Sequence, residues 1–210
     1  MHISEGVLTI PVLAAGGVIS ALGVAMGLAK IKSHNLPQAA ILTAAFFTAS
    51  FIHVNIGPSS VHLMINGLIG LLMGWMAFPI ILVGLTLQAL LFQFGGITVL
   101  GVNTFNVAGP AVLFGFLFRK TVLSDKLVPS SLAAAGAGFF SIALTALLVG
   151  VALYASNPAN YGAAAKTVFV AHIPVMVIEA IITLLVVRFL KKVKPEILFT
   201  ATAVRTTEAV

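Results

Sequence analysis

Residues 60–94 read SVHLMINGLIGLLMGWMAFPIILVGLTLQALLFQF, and no Asp, Glu, Lys or Arg interrupts them. As one helix the segment would be about 50 Å long, well beyond the ~30 Å hydrocarbon core of a bilayer. Pro79 punctuates it, so it reads as two membrane spans, 60–77 and 78–94, joined by a tight turn near 77–79. Working outward, five more apolar stretches follow the same logic: 10–29, 37–53, 105–118, 130–154 and 165–190. The stretch 105–118 is short for a span, which suits a tilted helix or one that begins inside the preceding loop. The expected fold is an all-α integral membrane protein of about seven transmembrane helices. It forms one domain over 1–210, divided into an N-terminal segment (1–9), a helical bundle (10–190) and a tail (191–210).

Composition agrees with this reading. The 210 residues are 60% hydrophobic and only 8% charged, with mean hydropathy +1.16, whereas soluble domains carry about 25% charged residues. Five acids and eleven bases cannot cover a soluble fold of this size, so lipid must solvate most of the surface. The absence of cysteine removes disulfides, thiolate metal sites and cysteine nucleophiles. A net charge of +6 raises the question of nucleic acid, but the bases lie in a few short hydrophilic gaps, as orientation signals do. No nucleic-acid partner is expected; the bilayer is.

Charge distribution also sets the orientation. With the N-terminus outside, the inner segments hold Lys30, Lys32, Arg119, Lys120, Lys126, Arg188, Lys191, Lys192, Lys194 and Arg205, leaving only Lys166 outside. That asymmetry predicts N-out and a cytoplasmic C-terminus. No basic residue precedes the first span, so it does not read as a cleaved signal peptide. Gly23 with Gly27, and Gly70 with Gly74, offer small faces where helices can approach closely.

Few residues carry chemistry. Met1-His2 sets an amine, a backbone amide and an imidazole in sequence. Amine and amide nitrogens close a five-membered ring on a metal, and the amide with His2 Nδ1 closes a six-membered one. Three coplanar nitrogens leave one corner of a square, a geometry suited to Ni²⁺ or Cu²⁺ and open to low-spin Co²⁺. Taken alone, His2 also reads as an incidental histidine near the start of the chain. His53 closes the second span and His62 falls in the first turn of the third, both on the side of Met1. Either could supply a fourth ligand, and Ser60 stands in the turn between them. The stretch 95–110 is a glycine-rich loop carrying Asn103, Thr104 and Asn106. It could line a cavity and orient the histidines, or be a plain connection. Glu179 lies mid-span with His172 two turns before it. A buried acid in a membrane should face the interior and be partnered, and tying helices together is the favoured role. His34 reads as a solvated loop residue and Trp75 as an interfacial aromatic.

Met1-His2-Ile3-Ser4-Glu5-Gly6 resembles the MHI-x-EG opening of the CbiM/NikM family, the substrate-specific components of energy-coupling-factor nickel and cobalt transporters. Three further stretches match in order: Gly57 to Gly67 around His62, Gln93 to Asn106, and Ile173 to Glu179. The resemblance implies an N-terminus inserted into the bundle and metal ligands at Met1, His2 and His62. His53, Ser60, Asn103, Asn106 and Glu179 stand as surrounding or cavity residues. It also implies Ni²⁺ or Co²⁺ as transported substrate and no cofactor. The implied partners are a transmembrane scaffold, a pair of ATPases and a small accessory membrane subunit, in the cytoplasmic membrane of a prokaryote. Leu63 stands where many members have proline, and Phe94 where many have histidine.

No G-x-x-x-x-G-K-[ST] loop occurs, so the chain is not expected to hydrolyse ATP itself. Two rival readings exist. A proton-coupled carrier acting alone would use Glu179 and His172. An intramembrane serine protease would use Ser59, in Gly57-Pro58-Ser59, with His172, provided the two come within hydrogen-bond reach.

Overall fold

The computed structural model describes residues 2–51, 53–56 and 59–199. Its helices are α1 (Ile10–Leu28), α2 (Leu36–Ala49), α3 (Asn66–Met73), α4 (Ala77–Phe92), α5 (Leu100–Val122), α6 (Leu127–Ser156), α7 (Pro158–Ala171), α8 (Ile173–Val193) and the short α9 (Glu196–Phe199). A two-stranded antiparallel hairpin, β1 (His53–Ile56) and β2 (Ser59–His62), stands between α2 and α3. Among the described residues, five helical stretches are long and apolar enough to cross a membrane: α1, α3 through α4, α5, α6, and α7 through α8.

The segment 66–92 does reverse direction. Asn66 donates to the Val107 carbonyl, Gly70 lies against Ala111, and Gly74 lies near Phe116. The near-constant offset means that α3 runs parallel to α5. Phe78, at the start of α4, packs on Gly23 of α1, and Trp75 stacks beside Phe78 and Phe116. Phe92, at the other end of α4, meets Phe47, Phe51 and Phe94. α4 therefore returns the way α3 came. The turn is made by Gly74, whose φ of +53° opens a backbone state closed to most side chains. Pro79, expected to mark the break, lies instead in the first turn of α4, where its missing N–H costs nothing.

Three further boundaries differ from expectation. α2 ends at Ala49, so His53 belongs to the hairpin rather than to a span. The third helix starts at Asn66 rather than 60, because residues 59–62 are extended and Ile65 turns the chain through φ +46°. The expected loop 95–110 is largely helix: α5 begins at Leu100, five residues before the expected span. The last stretch bends at His172. Pro174 has no N–H for the carbonyl one turn back, which separates α7 from α8.

Packing divides the helices into two kinds. Every residue of α3 is buried, whatever its polarity. By contrast α1, α5, α6 and α8 leave large apolar side chains such as Val18, Leu117, Leu132 and Leu185 exposed. A water-soluble protein would bury such a belt; in lipid it is the ordinary outer surface. Helix contact relies on small residues, as membrane interfaces do: a methyl group on Gly70 would sit 1.8 Å from the Ala111 carbonyl oxygen. At the Trp75 end, the Lys191 ammonium donates to the Ser124 carbonyl at 2.6 Å and to Ser130 Oγ at 2.7 Å. Arg188, Lys191 and Lys192 share a cavity with Asp125 there.

Candidate metal centre

The site lies at the opposite end of the bundle, where the chain's first residues fold inward. Ile3 is fully buried and His2 is 3% exposed. Two features seat them. The Ile3 N–H donates to Asn103 Oδ1 at 3.0 Å, and Asn103 Nδ2 donates to the Ile3 carbonyl at 3.2 Å. The α4–α5 connection lies alongside: the Glu5 N–H donates to the Gly95 carbonyl, and Glu5 Oε1 accepts from the Thr98 N–H. Gly95 has φ +78°, and a β-carbon there would come within 3.2 Å of His2 Cβ. Glycine thus meets two demands at this position, a left-handed turn and a close approach by the N-terminal segment.

His2 and His62 meet ring to ring, with centroids 4.7 Å apart and Nε2 to Nε2 at 3.0 Å. Both rings are buried. His62 Nδ1 lies 2.8 Å from the Leu63 carbonyl. A carbonyl can only accept, so His62 carries its proton on Nδ1 and presents a bare Nε2. His2 Nε2–H must then be the donor between the rings, and His62 Nε2 is the unprotonated nitrogen that could bind a cation. Burial pushes the His62 imidazole down to about 4, against a smaller opposing effect of its bond to Leu63, so the ring is neutral near pH 7.

The remaining expected residues fall as follows. Met1 lies outside the described residues. His53 pairs with His62 across the hairpin and Ser60 with Asn55, but their side chains lie outside the description. Asn103 and Asn106 are buried on the first two turns of α5, and only Asn103 has a described bond to the N-terminal segment. Asn106 Nδ2 makes no hydrogen bond among the described residues. Glu179, on the second turn of α8, is fully buried, and its Oε1 accepts from the Met64 and Ile65 N–H groups. Its described bonds thus go to the turn between His62 and α3 rather than to another helix. His172 caps the α7–α8 bend, with Nδ1 bonded to the Val168 carbonyl. Gly57 and Pro58 of the Gly-Pro-Ser motif lie outside the described residues, as does the Ser59 side chain.

Several partners had no signal in the sequence, because they are backbone groups: the Leu63 carbonyl and the Met64 and Ile65 amides. Phe94 was noted only as a departure from the family pattern, yet its ring stacks on His2 at 6.1 Å.

Comparison with known proteins gives this geometry its context. The CbiM family profile, described as a cobalt uptake substrate-specific transmembrane region, matches residues 2–197. A Haemophilus influenzae protein named for metal transport is 41% identical over 203 residues, covering 94% of this chain and 97% of its own. An Archaeoglobus fulgidus protein named as a fused nickel transport protein, NikMN, is 28% identical over 203 residues, covering 94% of this chain and 68% of its own. A crystal structure described as a transition metal transporter superposes with a TM-score of 0.81 at 30% identity, covering 92% of this chain and 93% of that one. The chain is thus a multi-pass membrane protein and belongs to the CbiM family, whose profile is that of a cobalt uptake substrate-specific transmembrane region.

Proposed function

We propose that this protein is the substrate-capturing subunit of an energy-coupling-factor importer and binds Ni²⁺ or Co²⁺ through the Met1 amine, the His2 amide and Nδ1, and His62 Nε2. The observation that carries this reading is the buried meeting of His2 and His62 at 3.0 Å. The two imidazoles supply two corners of a square, and the N-terminal backbone supplies the others. On cation entry, His62 Nε2 exchanges the His2 N–H for the metal. The Asn103 clasp holds the chelating segment in the bundle meanwhile, in the manner of groups that orient metal ligands.

In this reading the chain crosses the membrane seven times. The His2 end faces outward, and the base-rich Trp75 end faces the cytoplasm of a prokaryotic cell. ATP is hydrolysed by separate partner ATPases joined through a transmembrane scaffold. The fused name of the A. fulgidus relative supports association with further membrane subunits. The test is to add one residue before Met1, or to acetylate the amine, and to titrate the folded protein with Ni²⁺. Tight binding should be abolished; unchanged affinity would rule out the chelate.

A further inference from the structure

Glu179 spends a fully buried carboxyl group on two consecutive backbone amides, those of Met64 and Ile65. An acid at this depth in a membrane costs a few kcal/mol, and Ile65 adds a second cost. It is β-branched and held at φ +46°, a state such residues adopt only under constraint, at about 1–3 kcal/mol. Glu179 Oε2 has no hydrogen-bond partner among the described residues, so the described anchoring of the carboxyl group is to these two amides. Successive N–H groups converging on one oxygen make an anion cradle, and the cradle accounts for the strained turn.

The Met64 amide belongs to the Leu63–Met64 peptide. The carbonyl of that same peptide accepts from His62 Nδ1 at 2.8 Å. One rigid plane therefore joins two bonds: Glu179 grips its N–H edge, and His62 donates to its C=O edge. A peptide free to rotate could turn its carbonyl away, and the His62 proton could then move to Nε2.

We infer that Glu179 is a positioning residue for His62: by fixing the Leu63–Met64 peptide, it keeps the proton on Nδ1 and leaves Nε2 bare toward His2. This rests on reading His62 as a metal ligand, and gives Glu179 a part in substrate binding without contact to the metal. The arrangement is a carboxylate–peptide–imidazole relay, in which the usual direct bond of a carboxylate to a ligating histidine passes through the backbone. The bond from the Met64 N–H to Glu179 also polarises the peptide, strengthening the carbonyl as an acceptor.

The test uses metal-free full-length protein, labelled with ¹⁵N at histidine, alongside Ni²⁺ titration. The His62 ring signals are identified by their loss in His62→Ala. Wild type should show the Nδ1–H form. Glu179→Ala should shift His62 toward a mixture of tautomers and weaken Ni²⁺ binding about 10–100-fold, the usual range for groups supporting metal ligands. Glu179→Gln, whose carbonyl still accepts from both amides, should keep the tautomer and most of the affinity. If Glu179→Ala does not fold, Glu179→Asp replaces it, being one methylene short of the cradle. An unchanged His62 tautomer in the folded Ala or Asp variant overturns the inference, whatever the affinity. Unchanged Ni²⁺ affinity in His62→Ala would instead overturn the ligand reading, and the tautomer measurement would still stand as a separate result.

Discussion

Asn103 grips the backbone of Ile3 at both edges, accepting from its N–H at 3.0 Å and donating to its carbonyl at 3.2 Å. A side-chain amide here does the work of a neighbouring strand, satisfying a buried segment that has left its helix-free start and entered the bundle. Removing it leaves two buried backbone groups without partners, at about 1–3 kcal/mol each. Asn103→Ala should therefore release the N-terminal segment, weaken Ni²⁺ binding by at least about tenfold, and leave helix content unchanged. Calorimetry gives the affinity and circular dichroism the fold; full affinity in the variant would contradict this role.

The two hairpin histidines should separate cleanly. His62 faces His2, whereas His53 occupies the paired position on the other strand. If His62 is one of four ligands, as proposed, His62→Ala should reduce Ni²⁺ affinity by more than about 100-fold. His53→Ala should change it only a few-fold. Titrations with the order reversed would transfer the ligand role to His53.

Acidity should act on the metal-free fold through His62. An unfolded histidine titrates near 6.5, and burial holds the folded one at about 4. Between those values the unfolded chain binds more protons, so the stabilising contribution is complete above about pH 6.5 and is lost as pH falls toward 4. The whole effect is on the order of 3 kcal/mol. Thermal unfolding in detergent across pH 4–7.5 should show a steeper acid loss for wild type than for His62→Gln. Parallel curves would refute it. At pH 6–7, protons released on Ni²⁺ binding should come from the amine and the amide, not from His62.

Helix approach sets a fourth expectation. Because any β-carbon on Gly70 would overlap the Ala111 carbonyl, Gly70→Val should force α3 and α5 apart. The expected loss is about 1–3 kcal/mol or more, read as a lower unfolding temperature in detergent. An unchanged midpoint would mean that the helices part without cost.

The membrane-spanning character was legible because lipid solvation is a property of composition, and residues 66–92 carry no charge at all. The reversal within them was legible too, but its agent was not. Pro79 is the louder breaker, while Gly74 acts through a backbone angle that no neighbour announces. The start of α5 was missed since Asn103, Thr104 and Asn106 lower its apolar signal, though each is buried against protein rather than lipid. Val61 to Ile65 reads as helix locally. It is extended where it pairs with β1 and then turned where Glu179, more than a hundred residues away, holds two of its amides. His2 could be joined to His62 only through orientation and family likeness, because the bond between them spans sixty positions of chain.

That long reach bears on biosynthesis. The segment around Ile3 is made before α5, which clasps it, and the turn beside His62 before α8, which holds it. Contacts so distant along the chain form late and slowly. The clasp on Ile3 can close once α5 is in place, whereas the turn beside His62 is completed only when α8 arrives. On the proposed reading of His62 as a ligand, a chain that ends before α8 lacks the Glu179 hold on this turn and should capture metal less well.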